Sequence, residues 1–367
     1  MKEKRIKYRQ LVLEGSAYEA GRKLGEFLKE DKNLISFMTS PFMGGEKLGK
    51  NALENVKRLY DEFCPGTNEE IQGFADALGK EYSDVVYYFA YLQMNKGNCS
   101  QLVVTPDISV DGHCYLGRNY DYGWEDTPIF IETRIDGAYK QFGFACQLFG
   151  RFDGMNEHGL CVATSAGAIN PPYTEEGFVF PVVVRAILNQ CKTVEEALVL
   201  FEKMPFADYR NFCMIDQQGN VALIEAAASQ HSVVKEGTYL IATNHYESEL
   251  LKMKGFYKPN HSVTRYNTLQ SFAKNKSGQI GVNDIKDVLG NIMPEGVCCN
   301  CYEDGMGTIW SVVFDASDRK AYVCFGSPNE SDYREMIIGK SEGYYEYEIT
   351  LFSEMAPKKF WDNVVSL

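Results

Sequence analysis

Four residues within KGNCSQLVVTPDISVDGHCYLGRNYDYG, residues 96–123, carry groups that could act together: Cys99, Arg118, Asn119 and Asp121. A thiol attacks as its thiolate, and a neighbouring guanidinium favours that form. A carboxylate can orient an amine that shuttles protons. Each residue also has a plain reading. A cysteine at the start of a strand is ordinarily a small core residue. Arg118 and Asp121, three apart, fit an ion pair beside a turn, and Asn119 fits support of a hairpin. Residue types alone do not separate these readings; order along the chain does.

The elements that must position these groups follow from periodicity. Residues 1 to 95 read as mostly helical after a short opening strand. SAYEAGRKLGEFLKE places Tyr18, Leu24, Phe27 and Leu28 at helical spacing. TNEEIQGFADALG has Thr67 as a cap, Glu69 and Glu70 in the first turn, and Gly79 past the end. SDVVYYFAYLQM reads as an apolar helix. The texture changes at Gly97. SQLVVT and CYLGRNYDY read as strands joined by a tight turn at Asp111-Gly112. Strands follow at PIFIETRID, KQFGFACQLF and LCVATSAG, then two helices, the second opening at TVEEALVLFEKM. A hairpin around Gln218-Gly219, the strand TYLIATNHY, the helices SVTRYNTLQSF and VNDIKDVLGNI, and the hairpin GTIWSVVFDASDRKAYVCFG complete the pattern. Runs of strands, then helices, then strands again predict an α+β layered sandwich. No linker or repeat divides it.

Bulk properties narrow the class. The chain has 367 residues, a formal net charge of −13 and 45% hydrophobic residues. The negative balance argues against nucleic-acid or anionic-membrane surfaces, which need basic patches. The start, MKEKRIKYRQ, lacks an apolar stretch of the signal-peptide kind, and no apolar run reaches membrane-spanning length. Eleven cysteines, an odd number in no small-scaffold spacing, read as reduced thiols in a cytoplasm.

Cys99 followed by a strand, a turn and G-R-N-x-D resembles the cysteine N-terminal-nucleophile hydrolases of the choloylglycine hydrolase group. That group includes bile-salt hydrolases and penicillin V acylases, with acid ceramidase-type amidases and isopenicillin N acyltransferases as relatives. The resemblance continues in order through DGMNEHGLCVAT, IATNHY, SVTRY and TIWSVVFD, spanning residues 97 to 315. It implies a four-layer αββα sandwich and hydrolysis of a linear, non-peptide C–N amide through an S-acyl intermediate on Cys99. Passing the acyl group to a second amine instead would make the chain an acyltransferase.

The site residues come with the resemblance. Cys99 would be the nucleophile once it heads a chain, its own α-amine the base. Such an amine titrates at about 7.7–8.0 and is partly neutral near pH 7. The resemblance places Arg118 beside the thiol and Asp121 on the amine. It gives Asn244 and a backbone N–H near Ser165 or Ala166 to the oxyanion, and adds Arg265 to the charged cage. Here 98 residues precede Cys99, which resembles the branches that cut themselves. The thiol would attack the Asn98 carbonyl in an N→S acyl shift, eased by the freedom of Gly97. Residues 1–98 would be a helical pro-segment or small subunit and residues 99–367 the catalytic core. The amphipathic helices of 1–98 need a partner, so the pieces would stay together, and copies of the whole could associate further. An uncut binding or regulatory relative is the alternative outside enzymes.

His245 follows Asn244 and reads as a pocket residue. A papain-like base is disfavoured, because no C-G-x-C-W surrounds any cysteine. Cys298, Cys299 and Cys301 are spaced unlike zinc ligands, so no metal and no cofactor is expected. The expected partner is a small N-acyl substrate.

Overall fold

KEKRIKYRQLVLEG forms strand β1 (Lys2–Gly15), and its burial changes along its length for a topological reason. Ile6 and Tyr8 are buried between exposed neighbours, whereas Gln10 to Leu13 are all buried. The first part pairs only with β17 (Tyr344–Ser353), antiparallel; from Arg9 onward β1 also pairs parallel with β4 (Ile129–Ile135). A strand with neighbours on both edges and cover on both faces loses its alternation. The computed structural model describes residues 2–39, 48–85, 98–126, 128–146, 148–167, 177–254 and 256–364.

Among the described residues the strands make two sheets. The ten-stranded sheet runs β11 (Gln230–Val234), β10 (Val221–Ala227), β9 (Tyr209–Ile215), β8 (Cys161–Ala166), β7 (Asp153–Asn156), β5 (Gln141–Cys146), β4, β1, β17, with β6 (Gly150–Arg151) on β5. The seven-stranded sheet runs β12 (Tyr239–Ala242), β2 (Asn98–Val104), β3 (Tyr115–Tyr122), β14 (Met306–Asp315), β15 (Lys320–Phe325), β16 (Tyr333–Ile337), with β13 (Asn300–Cys301) on β14. The sheets face each other through β2, β3, β8 and β9.

Helices close both outer faces. After α1 (Ala17–Leu28), α2 (Lys32–Thr39), α3 (Lys50–Phe63) and α4 (Thr67–Ala77), helix α5 (Phe180–Gln190) covers β6, β7 and β8, with α6 (Val194–Lys203) beside it. Beyond the short α7 (Glu249–Lys252), α8 (Asn260–Asn275) covers β2 and β12, and α9 (Val282–Gly290) covers β3 and β14. The layer order is therefore αββα. Between the sheets Trp310 stacks on Tyr120 at 4.0 Å and on Phe144 at 4.3 Å between ring centroids, a dense aromatic centre. No helix among the described residues is long and apolar enough to cross a membrane.

Several local expectations change. The link from β2 to β3 is a loop over residues 105–114, not a tight turn: Ile108 is buried, and Val110 N donates to Ile280 O at 3.0 Å. Gly66, with φ +88°, rather than Thr67, takes the N-cap position of α4. Glu69 and Glu70 do lie in its first turn, but Glu70 is also buried and paired with Arg185 of α5 at 3.1 Å. The expected helix over residues 83–94 lies mostly outside the described residues, as does Gly97. Strands β11, β16 and β17 had no expectation.

Helices α1 and α4 cross so closely that a Cβ on Gly21 would lie 1.8 Å from Glu70 O, and one on Gly73 would lie 2.1 Å from Tyr18 O. Gly21→Ala should therefore lower stability by about 1–3 kcal/mol through overpacking. A urea midpoint equal to that of the parent chain would show that the crossing is not needed.

Candidate active site

Strand geometry assigns the two residues of G-R-N-x-D to different jobs. Successive side chains on a strand point to opposite faces, so Arg118 and Asp121, three apart on β3, cannot pair. Arg118 faces the opposing sheet and Asp121 faces α8. Cys99, opposite Tyr120 on the neighbouring strand β2, lies between them.

On the inner face Arg118 Nη2 donates to Cys99 Sγ at 3.4 Å. Its Nη1 donates to Asp153 Oδ2 across the gap between the sheets. Trp310 Nε1 donates to the same oxygen at 3.1 Å, and Phe144 N donates to Asp153 Oδ1 at 3.2 Å. The guanidinium is also enclosed by Tyr120, Phe152 and Trp310, at 5.4, 5.8 and 5.5 Å from the ring centroids. It is fully buried and held rigid by the ion pair and three rings.

On the outer face Asp121 stands opposite Asn98, the residue before the thiol. Thr308 Oγ1 donates to Asp121 Oδ1 at 2.7 Å, whereas Oδ2 accepts no hydrogen bond from the described residues. A bulge makes this possible. Asp121 and Tyr120 are adjacent, yet they pair with Thr308 and Trp310, two apart on β14. The inserted Ile309 turns Thr308 outward and Trp310 inward. Its carbonyl accepts from Tyr8 of β1 at 2.7 Å and from Gly326 N at 2.9 Å.

Asn244 and Arg265 close the third side. Cys99 N donates to Asn244 Oδ1 at 2.9 Å, and Arg265 Nη2 donates to the same oxygen at 2.8 Å. Arg265 Nη1 donates to Cys99 O and, at 2.9 Å, to Ser100 Oγ, and lies 3.7 Å from Asp121 Oδ2. Arg265 is wholly buried, not a helix-surface residue. Asn244 Nδ2 donates to Ala166 O at 3.2 Å. In this structure, then, Asn244 and not Asp121 holds the Cys99 nitrogen.

Ser165 and Ala166 lie in β8 rather than in a turn, and the ladder separates them. Gly167 N donates to Tyr209 O, so by antiparallel alternation Ser165 N–H is directed at Asn211 of β9. The N–H and C=O of Ala166 then point to the other edge, as its carbonyl contact with Asn244 requires. The Ser165 hydroxyl instead staples the sheets: it accepts from Gln101 Nε2 at 2.8 Å and donates to Thr243 O at 2.5 Å. His245 is buried, its Nδ1 2.7 Å from Ser262 Oγ and its Nε2 2.9 Å from Glu247 Oε1. Burial lowers its pKa, and the structure does not bring it to Cys99. Asn119 donates to Leu289 O at 2.8 Å, supporting α9.

Asp153, Ser262 and Thr308 open the segments DGMNEHGLCVAT, SVTRY and TIWSVVFD, but the sequence reading gave none of them a role. Asp153 also stands out as a lone carboxylate inside the largely apolar run FGRFDGM. The place of Thr308 depends on the bulge, which no residue pattern announces.

Electrostatics at the thiol are a contest. Burial pushes the Cys99 thiol up, and the nearby Arg118 cation only partly offsets it. Burial likewise holds Asp121 at about 6, against the pull of Arg265 and the Thr308 hydroxyl. All eleven cysteines are buried and none forms a disulfide. The group with metal-ligand spacing among the described residues is His113, Asp315 and Asp318; Cys298, Cys299 and Cys301 do not form one there.

The family described as acyl-coenzyme A:6-aminopenicillanic acid acyl-transferase matches residues 109–330, more than half of the chain, beginning downstream of Cys99. Protein dcd1B of Dictyostelium discoideum is 24% identical over 220 residues, covering 51% of this chain and 44% of its own length. The chain thus matches less than half the length of that relative. A variant of the conjugated bile acid hydrolase from Clostridium perfringens shares 13% identity over 71% of this chain and 99% of its own, with a TM-score of 0.49. The Caenorhabditis elegans N-acylethanolamine-hydrolyzing acid amidase ortholog shares 16% over 60% and 93%, with a TM-score of 0.45.

Two outcomes follow from the geometry. Arg118→Met should cost about 3–5 kcal/mol, because it strands a buried carboxylate. Combined with Asp153→Leu it should show a coupling energy of about 2–3 kcal/mol in urea unfolding; additive losses would mean that the two groups act independently. Asp121, with its raised pKa, favours the fold below its unfolded pKa of about 3.9 and loses that contribution as pH climbs through about 6. The urea midpoint of the parent chain should therefore fall relative to Asp121→Asn between about pH 4 and about 6. Parallel curves would exclude a raised Asp121.

Proposed function

The chain belongs to the acyl-coenzyme A:6-aminopenicillanic acid acyl-transferase family, and from that membership we propose a self-cleaving cysteine amidohydrolase acting on a linear N-acyl compound. The observation that carries this reading is the hold on one residue. The thiol, nitrogen and carbonyl of Cys99 are each bound by a different buried group: Arg118, Asn244 and Arg265.

Self-cleavage comes first. The Cys99 thiol adds to the Asn98 carbonyl carbon, the C–N bond breaks, and the nitrogen takes the proton. Water then releases the Asn98 carboxylate and restores the thiol. The freed nitrogen carries more hydrogens than the single amide hydrogen now given to Asn244. Asp121 Oδ2, buried, without a hydrogen bond among the described residues and on the residue opposite Asn98, is the acceptor in place for them.

In turnover the α-amine takes the thiol proton as sulfur adds to the substrate carbonyl, and later gives it to the leaving amine. The oxyanion faces Ala166 N–H and Asn244 Nδ2, each such donor worth about 2.7–4 kcal/mol. Ala166 suits this better than Ser165, whose N–H serves the ladder. Water resolves the S-acyl enzyme. A second amine in place of water gives an acyl transfer, the reaction the family's name describes, and this is the second reading.

The cut segment stays bound in this scheme. β1 lies between β4 and β17, and Glu70 is the buried partner of Arg185. Removing either would expose sheet edges and strand a buried cation. Eleven buried thiols suit a reducing compartment such as the cytoplasm.

Intact-mass measurement of the purified chain should show two pieces, 1–98 and 99–367, that co-elute under native conditions. Cys99→Ala should give a single species near 41.5 kDa with the fold kept and no turnover of N-acyl substrates. Turnover by Cys99→Ala would sink the scheme. An uncut, inactive parent chain would favour a binding or regulatory protein.

A further inference from the structure

Arg265 has a ring partner, His261, to which the mechanism gives no part. We propose that His261 is a positioning residue: a neutral acceptor that fixes the Arg265 guanidinium, with the C-terminal segment around Trp361 packed over it. The inference rests on the reading of Arg265 as part of the site.

His261 and Arg265 are four apart on α8, hence on one face, and both are wholly buried. His261 Nδ1 lies 2.9 Å from Arg265 Nη2. A guanidinium has donors only, so Nδ1 must present its lone pair and the ring proton must sit on Nε2. Nε2 has no hydrogen-bond partner among the described residues. The ring instead meets Trp361 edge to face, at 5.2 Å and 69°, with Phe360 at 6.4 Å. That aromatic cover is tied to the start of the same helix. Asn260 N donates to Asp362 O at 2.8 Å, and Asn260 Nδ2 donates to Lys359 O at 3.1 Å.

The choice of a neutral acceptor has a physical reason. Nη2 divides its hydrogens between His261 and Asn244 Oδ1, and Nη1 divides its own between Cys99 O and Ser100 Oγ. Fixing one bond of a planar fork fixes the others. Arg265 with Cys99 N also decides which end of the Asn244 amide turns toward Ala166. A carboxylate in place of the ring would hold the fork as well, but would neutralise the charge the site uses. A protonated ring would repel it. Burial, with Arg265 and His245 nearby, drives the ring's pKa down to about 2, which agrees with a permanently neutral ring.

The test compares three variants for self-cleavage and for steady-state turnover of an N-acyl amino acid. His261→Phe removes the acceptor and keeps a ring. His261→Asn offers an amide oxygen near the position of Nδ1. His261→Asp offers a charged one. His261→Phe should lower kcat about 10–100-fold with KM changed less than about twofold. Asn should recover most of the loss and Asp should not. Parent-like kcat in His261→Phe, or equal losses in Phe and Asn, overturns the proposal. In the parent chain, ¹⁵N NMR should show His261 as the neutral Nε2–H tautomer from about pH 5 to about pH 8. A protonated ring or an Nδ1–H tautomer overturns it even if the variants fail to fold. Cys99→Ala, assayed in parallel, separates the two failures: turnover there defeats the nucleophile assignment, whereas a dead Cys99→Ala beside a parent-like His261→Phe defeats only the role of His261.

Discussion

The ion pair between Arg118 and Asp153 spans the two sheets at the place where the thiol sits. Neither charge meets water, so each depends on the other and on the groups around them. Trp310 and the Phe144 amide satisfy the carboxylate, and three aromatic rings enclose the cation. The sandwich must keep its sheet spacing and register for this pair to form. The same spacing delivers Nη2 of Arg118 to Cys99. A structural joint and a charged neighbour for the Cys99 thiol are one object.

Around that joint the site divides by face. The inner face of β2 and β3 presents the thiol to Arg118, and the outer face presents the peptide nitrogen side to Asp121, Asn244 and Arg265. The bulge at Ile309 lets one strand serve both faces, sending Trp310 to Asp153 and Thr308 to Asp121. Tyr8 of β1 binds the bulge carbonyl, so the segment before Cys99 contributes to the shape of the site besides completing a sheet. Polar groups at this depth survive because most of their hydrogen-bonding capacity is met.

The cation alone does not set the thiol. Burial opposes it and prevails. Under the proposed scheme, cleavage would turn the Cys99 amide nitrogen into an amine and so add a titratable group beside the sulfur. Burial likewise holds Asp121 near 6.

Much of this was legible in the residues. The periodicity gave the core strands and helices, and the order of Cys99, G-R-N-x-D, Asn244 and Arg265 named a set that the fold brings within contact. Those features are local, or depend only on order along the chain. What the sequence could not carry were consequences of register. Arg118 and Asp121 look like a pair until a strand sends them to opposite faces. Ser165 and Ala166 were equivalent until the β8–β9 ladder took one N–H and left the other. Asp153, Thr308 and His261 gain their roles from partners 35, 187 and 4 residues away. Composition and pattern determined which chemistry the chain holds and in what layers. The tertiary structure decided which atom faces which, because a buried hydrogen bond is specified by direction and distance, and neither is written in the order of side chains.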